Sequence, residues 1–326
     1  MKALRALVKR FAGRRILVVG DVMVDHYIWG RVSRVSPEAP VPIVEVNKES
    51  QTLGGAGNVV QNLHALGALP ILVGLVGRDG TGAWVAEALR AQGLETSGLF
   101  SDPSRPTTLK TRIIGSHQQI VRFDRESARE PSRAIQDSLT GYAEALAAKA
   151  AAVIISDYGK GVITRTVLER VIRAARRAGV PITVDPKVEH FQRYRGVTCI
   201  TPNAQEASQG MRLHTVVEGD GVLPLGHAIR RKLNADSVLI TRGEHGMSLF
   251  EKSGRVTHIP TVAREVYDVT GAGDTVIAAL TLALAAGAAL RDAARVANVA
   301  AGLVVEKMGT ATVTAAELTA GLSRLR

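Results

Sequence analysis

Thr270-Gly-Ala-Gly-Asp-Thr275 runs directly into the apolar stretch Val276-Ile-Ala-Ala-Leu280. Glycines just ahead of an apolar helix leave unpaired backbone N–H groups at the positive end of its dipole. With no side chain at Gly271 or Gly273, a phosphoryl group can approach that backbone closely. A carboxylate at Asp274 then stands beside the arriving phosphorus, placed to take the proton of an attacking hydroxyl. Taken alone, the pattern fits equally well a loop in which Asp274 merely caps the helix.

Other chemistries lack their residues. The sequence has no Gly-x₄-Gly-Lys-Ser/Thr loop, no Gly-x-Gly-x-x-Gly fingerprint, no Gly-x-Ser-x-Gly elbow and no His-Glu-x-x-His. Its eight histidines show no metal-ligand spacing. A single cysteine, Cys199, excludes an internal disulfide and a multi-cysteine zinc site, and its apolar neighbours suggest a buried, inert thiol. The net charge of +11 invites a nucleic-acid reading, but basic and acidic residues alternate, as in Arg122-Phe-Asp-Arg-Glu126. No basic tract with interleaved aromatics appears, so no nucleic acid is expected, whereas an anionic small substrate suits the positive field. The longest apolar run, Val276 to Leu290, is too short to span a membrane. The basic start, Met1 to Arg15, lacks a secretory pattern and reads as a surface helix, which leaves the cytoplasm as the expected location.

The elements that would position Asp274 follow from the apolar pattern. Arg15 to Gly20 reads as a buried parallel strand. Two polar, β-prone stretches follow around 26–32 and 41–47, separated by Pro37 and Pro40, and belong outside the central sheet. Helices are predicted over 55–66, 82–92 and 164–178, with one beginning near Ser132 and two more near Gly273 and Arg291. Strands are predicted over 71–76, 152–156, 181–184, 197–200 and 237–241, with a pair at 107–114 and 118–123 joined through Gly115-Ser116. Repeated βα units imply one α/β domain over residues 1–326, with a doubly wound, mostly parallel sheet. A small β lid is expected from excursions at about 26–47 and 107–124.

On these residues the chain resembles the ribokinase-like (PfkB) family of carbohydrate kinases. The carboxy-terminal signature resembles Asp268-Val-Thr-Gly-Ala-Gly-Asp274, and the amino-terminal one Gly54-Gly-Ala-Gly-Asn58 with Val73-Gly-Leu-Val-Gly-Arg-Asp-Gly80 following. Thr201-Pro-Asn-Ala-Gln-Glu206 is similar to the family's Asn-x-x-Glu element, and Thr241-Arg-Gly-Glu-His-Gly246 to its nucleotide loop. The resemblance implies ATP and Mg²⁺ as cofactors, Asp274 as base, and the N–H groups of Gly271, Ala272 and Gly273 as anion hole. It implies that Asn203, Glu206, Thr241, Gly243 and Gly246 serve the nucleotide, with Glu206 at the metal through water. Asp25, Gly54, Gly55 and Asn58 would bind the sugar.

Further segments resemble one branch of that family, the heptose 7-phosphate kinases of lipopolysaccharide precursor synthesis. They include Gly20-Asp-Val-Met-Val-Asp25, Gln118-Gln-Ile-Val-Arg-Phe-Asp124, Ser156-Asp-Tyr-Gly-Lys-Gly161 and Val184-Asp-Pro-Lys187. The implied activity is phosphorylation of a sugar phosphate at its anomeric hydroxyl. The chain's end at Arg326 matches the stand-alone form of the kinase. Lys110, Arg112 and Arg122 fall on the two expected lid strands, and a guanidinium fork suits phosphate. Gln118 belongs to the same segment, while Lys160 and Lys187 follow strand carboxyl ends, where ligands bind in such sheets. Exposed lid edges favour a homodimer through the lid. A kinase of another sugar, or a catalytically silent sugar binder on the same fold, is the alternative.

Overall fold

Residues of strand β1 (Arg15–Gly20) alternate between two separate cores. Ile16 and Val18 pack into one, and Leu17 and Val19 into the other. Such two-sided burial needs helices on both faces of the sheet, and the chain supplies them. The computed structural model describes residues 2–115, 118–217, 219–263 and 265–324. Helix α1 (Lys2–Val8) precedes β1; strands β2 (Val22–Val35) and β3 (Pro42–Gly55), helix α2 (Ala56–Ala65) and strand β4 (Leu69–Gly77) follow it. Next come α3 (Gly80–Ala91), β5 (Leu99–Asp102), β6 (Thr108–Gly115), β7 (Gln118–Arg125), α4 (Arg133–Ala147), β8 (Ala152–Ser156), α5 (Arg165–Arg177) and β9 (Ile182–Asp185). The last part contains β10 (Cys199–Ile200), α6 (Ala204–Gly210), α7 (Val222–Leu233), β11 (Ser237–Thr241), β12 (Met247–Glu251), β13 (Val256–Ile259), α8 (Ala272–Ala285), α9 (Leu290–Val304) and α10 (Ala315–Arg324).

The large sheet runs β13-β12-β11-β10-β9-β8-β1-β4-β5, parallel from β11 to β5 and antiparallel at β12 and β13. Helices α2, α8 and α9 cover one face; α4, α5 and α7 cover the other. Across the sheet, the Thr183 and Thr281 hydroxyls meet at 2.6 Å, tying β9 to α8. The smaller sheet, β3-β2-β6-β7, is the lid.

Several expectations are corrected. The first two lid strands are longer than 26–32 and 41–47, because β2 and β3 pair from Val22↔Gly55 to Val35↔Pro42. Gly54 and Gly55 therefore end a strand, and the helix expected from 55 starts at Ala56. The first helix is not a plain surface helix: Leu4, Leu7 and Val8 are buried. The strand over 197–200 shrinks to Cys199–Ile200. Strands β5, β12 and β13 and helix α10 were not predicted. The turn through Gly115-Ser116 lies in part outside the described residues. Cys199 is fully buried, and burial pushes its thiol up to about 12. Among the described residues no helix is long and apolar enough to cross a membrane.

Candidate active site

Parallel strands end together, and here their carboxyl ends place polar residues in a row. Asp21 follows β1, Asp157 and Tyr158 follow β8, Asp185 closes β9, Asn203 follows β10 and Thr241 closes β11. Asp21 has no exposed surface and accepts N–H bonds from Tyr158 (2.8 Å), Lys160 (3.0 Å) and Val162 (3.0 Å). Burial raises its pKa, the Asp157 charge adds to this, and the three N–H groups oppose it. One carboxylate thus fixes the loop after β8, and with it Tyr158.

Asp274 lies in the first turn of α8 and is 4% exposed. Its carboxylate accepts from Asn58 Nδ2 at 2.7 Å and from the Tyr158 hydroxyl at 2.8 Å. Burial pushes its pKa up to about 6; the two hydrogen bonds and the Lys110 charge pull it down, and Asp25 pushes it up. Such a carboxylate is ionised at neutral pH and yet basic enough to accept a proton. Asn58 is itself held by Asn62, which the Thr275 hydroxyl bonds at 2.8 Å. One N–H of its amide is thus given to Asp274, a partner that the sequence did not suggest. Gly271 has φ 77, and a Cβ there would lie 2.6 Å from Asn58 Nδ2, so only glycine lets the loop pass. The anion hole differs from expectation in one respect. The Ala272 N–H bonds the Val269 carbonyl at 3.2 Å, whereas among the described residues the N–H groups of Gly271, Gly273 and Asp274 make no backbone bond.

Two clefts meet at Gly273. One, of about 430 Å³, is mostly apolar and is lined by Thr241, Gly243, Gly246, Met247, Val269, Ala272 and Val305 among others. The other, of about 340 Å³, is lined by Asp157, Tyr158, Asp185, Lys187, Asn203 and Glu206. Both include Thr241, Gly273 and Val276. A Cβ on Gly273 would meet nothing within 4 Å, so this residue floors open space. Asn203 and Glu206 form a reciprocal capping box at α6, with bonds of 2.8 and 2.9 Å. They nevertheless face the acidic cleft. Burial raises the Glu206 pKa, and Asp185 is raised well above the usual range by burial and then by the charges of Glu206, Asp274 and Asp157. Carboxylates that repel one another around one cleft fit a divalent cation. Among the described residues no three acidic, histidine or cysteine side chains are grouped to ligate an ion directly. The donor set therefore suits Mg²⁺, which keeps several waters of its own.

The lid supplies the opposite charge. Lys110, Arg112 and Arg122 come from β6 and β7 as expected, but two of them are engaged. Arg112 Nη1 donates to Asp25 Oδ1 at 2.5 Å, and Arg122 grips Asp124 through bonds of 2.8 and 2.5 Å. Lys160 pairs with Glu126 at 2.7 Å, and Lys187 is 3.8 Å from Glu189. Lys110 alone of this set forms no ion pair among the described residues. Its ammonium lies 5.5 Å from the centre of the Tyr158 ring, and burial lowers its pKa. Asp25 is 5% exposed, and a Cβ on Gly54 would collide with its carboxylate. Gly55, φ 55, is the N-cap of α2. Gln118 is exposed at the start of β7, outside this cluster. Sequence reasoning assigned no role to Tyr158, Asp21, Asp157 or Asp185. The signal was the repeated placing of Asp at the end of an apolar strand.

A family model described as pfkB family carbohydrate kinase matches residues 14–317. The chain is 48% identical over 319 residues to "Bifunctional protein HldE" of Geotalea uraniireducens, covering 98% of this chain and 65% of that protein. It is 46% identical over 322 residues to the protein of the same name in Trichlorobacter lovleyi, again covering 65% of it. The chain thus spans about two thirds of these relatives' length. Among solved structures, Arabidopsis thaliana ribokinase complexed with ribose and ATP superposes with a TM-score of 0.74 at 20% identity, covering 95% of this chain and 99% of that one. Escherichia coli phosphofructokinase-2 in complex with potassium gives 0.77 at 18%, covering 96% and 100%. Asp274 on its glycine-led helix, within a ribokinase-like sheet and under a small four-stranded lid, accords with the family match over nearly the whole chain: the protein belongs to the pfkB family of carbohydrate kinases.

Proposed function

We propose that the chain transfers the γ-phosphate of ATP to the anomeric hydroxyl of D-glycero-D-manno-heptose 7-phosphate, giving heptose 1,7-bisphosphate for ADP-heptose and lipopolysaccharide core synthesis. The observation that carries the phosphorylated substrate is Lys110. Its half-buried ammonium forms no ion pair among the described residues, and its charge acts on Asp274. Asp25 and Asp124 act on it only at a distance, so an arriving anion would be its first direct partner. The heptose follows from the segments of the sequence that resemble that branch, and the HldE relatives support it.

In this reading the apolar cleft takes the adenine and ribose, and the triphosphate crosses Gly273. Asp274 removes the proton of the anomeric hydroxyl as that oxygen attacks the γ-phosphorus, and ADP departs. Tyr158 and Asn58 hold the carboxylate in the attack direction. The N–H groups of Gly273 and Asp274 meet charge on the transferring group. Bound Mg²⁺ supplies charge neutralisation on the phosphate oxygens, and Asp185 and Glu206 would hold its water shell. Asp25, oriented by Arg112, binds sugar hydroxyls. Val121 and Phe123 leave apolar surface on the outer lid, 44% and 52% exposed, which favours pairing of two chains there. A cytoplasmic enzyme is consistent with this substrate.

Measuring ADP release with heptose 7-phosphate, fructose 1-phosphate, fructose 6-phosphate and ribose tests the assignment. The heptose phosphate should give the highest kcat/KM. Equal or better turnover of an unphosphorylated sugar would remove Lys110 from the argument and the heptose with it.

A further inference from the structure

A cavity of about 660 Å³ lies outside this site and shares none of the residues of the acidic cleft. Six arginines line it: Arg165, Arg173, Arg176 and Arg177 from α5, and Arg193 and Arg195 from the chain beyond β9. Glu169 is the acid among its lining residues, and it is already bonded by Arg165 at 2.7 Å. Among the described residues Arg173, Arg177, Arg193 and Arg195 have no ion-pair partner. Converging like charges repel, and α5 handles its other arginine differently, since Arg170 pairs with Glu144 at 2.5 Å. The floor of the cavity is apolar, formed by the buried Leu168 and Ile172. Arg176 is anchored, its Nη1 donating to the Gly196 carbonyl at 3.3 Å. Guanidinium forks around an apolar floor match a ligand with several phosphates and a flat apolar part.

The cavity wall is also wired to the active site. Tyr194 sits between Arg193 and Arg195, and its buried hydroxyl donates to Asp157 at 2.7 Å and accepts the Lys187 N–H at 3.0 Å. His190, on the same turn, bonds Asp157 at 2.7 Å. Tyr194 thus links residues 193–195 to Asp157 and to the loop that carries Asp185 and Lys187.

We propose that this arginine-lined groove is a second nucleotide site, which binds a nucleoside polyphosphate through its phosphates and modulates the kinase through Tyr194. Equilibrium dialysis with labelled ATP tests it, comparing the wild type with an Arg173→Ser/Arg193→Ser/Arg195→Ser variant. These three side chains are exposed and outside the catalytic machinery. The variant should lose one bound equivalent, its groove affinity falling by roughly 10- to 100-fold. The loss of one equivalent, not the absolute number, is what is read, so the result stands apart from the assignment of the active site. Inorganic tripolyphosphate should displace that same equivalent in the wild type. A variant that binds as many equivalents as the wild type, with unchanged affinities, overturns the proposal. So does failure of tripolyphosphate to compete for the equivalent that is lost.

Discussion

The large sheet and the lid are made of similar strands put to opposite uses. Strands β1 and β8 are buried almost throughout, whereas every residue of β7 is exposed. Carboxylates dominate the ends of the buried strands, held by backbone N–H groups and hydroxyls. Cations outnumber acids on the lid, and Arg31, Arg112 and Arg122 are each paired with a neighbouring acid. A fixed, acidic frame and a basic, lightly packed cover meet around Asp274. The frame sets the reactivity of the base; the cover selects which substrate reaches it.

If that division is right, changes in the frame should act on kcat and changes in the lid on KM. Asp274→Asn should lower kcat by roughly 10² to 10⁴ while thermal unfolding stays cooperative, as for a lost general base. Near-wild-type turnover would end the mechanism. Lys110→Met should raise KM for the phosphorylated sugar by about 10- to 100-fold with little change in KM for ATP, because a ground-state contact is lost. Equal changes in both constants would blur the boundary between frame and lid.

Tyr158→Phe should cost about tenfold in kcat and shift a pH profile. With the Asp274 carboxyl at about 6, kcat/KM of the wild type should be flat above that pH and fall about tenfold per unit below it. The Tyr158 hydroxyl bonds the ionised form and so lowers this pKa. Removing it should move the acidic limb to higher pH, and an unmoved limb would show that the hydroxyl does not hold the base. The smallest effect is expected at the rim of the lid. Phe123→Asp should change stability by about 0.5 kcal/mol or less, as for a typical exposed site. If two chains pair through the lid as proposed, sedimentation velocity should show this variant as a monomer beside a wild-type dimer, and an unaltered boundary would remove the lid pairing.

Much of the frame was legible in the sequence because its signals are local. Apolar runs ending in Asp, and glycines ahead of an apolar helix, announce strands and an anion site within a few residues. Tyr158 and Asp185 were not legible in this way. Their roles depend on the parallel register that sets Ser156 opposite Asp185, and on α8 packing above both. The lid cations were legible as a group, but nothing in their spacing marks which of them are paired. That is decided by cross-strand neighbours such as Arg112 and Asp25, on strands β6 and β2. The strands β12 and β13 form an antiparallel extension that βα alternation does not announce.

The lone cysteine has a practical consequence. Cys199 lies in the interior of the sheet with no exposed surface, and its thiol is protonated at any working pH. Thiol-directed dyes and spin labels will therefore pass over the native protein. One new cysteine on the lid, at Val35 or Val46, and one beside the arginine groove will each take a label without any residue being removed first. Distances between such probes can then report whether the cover moves when substrate binds.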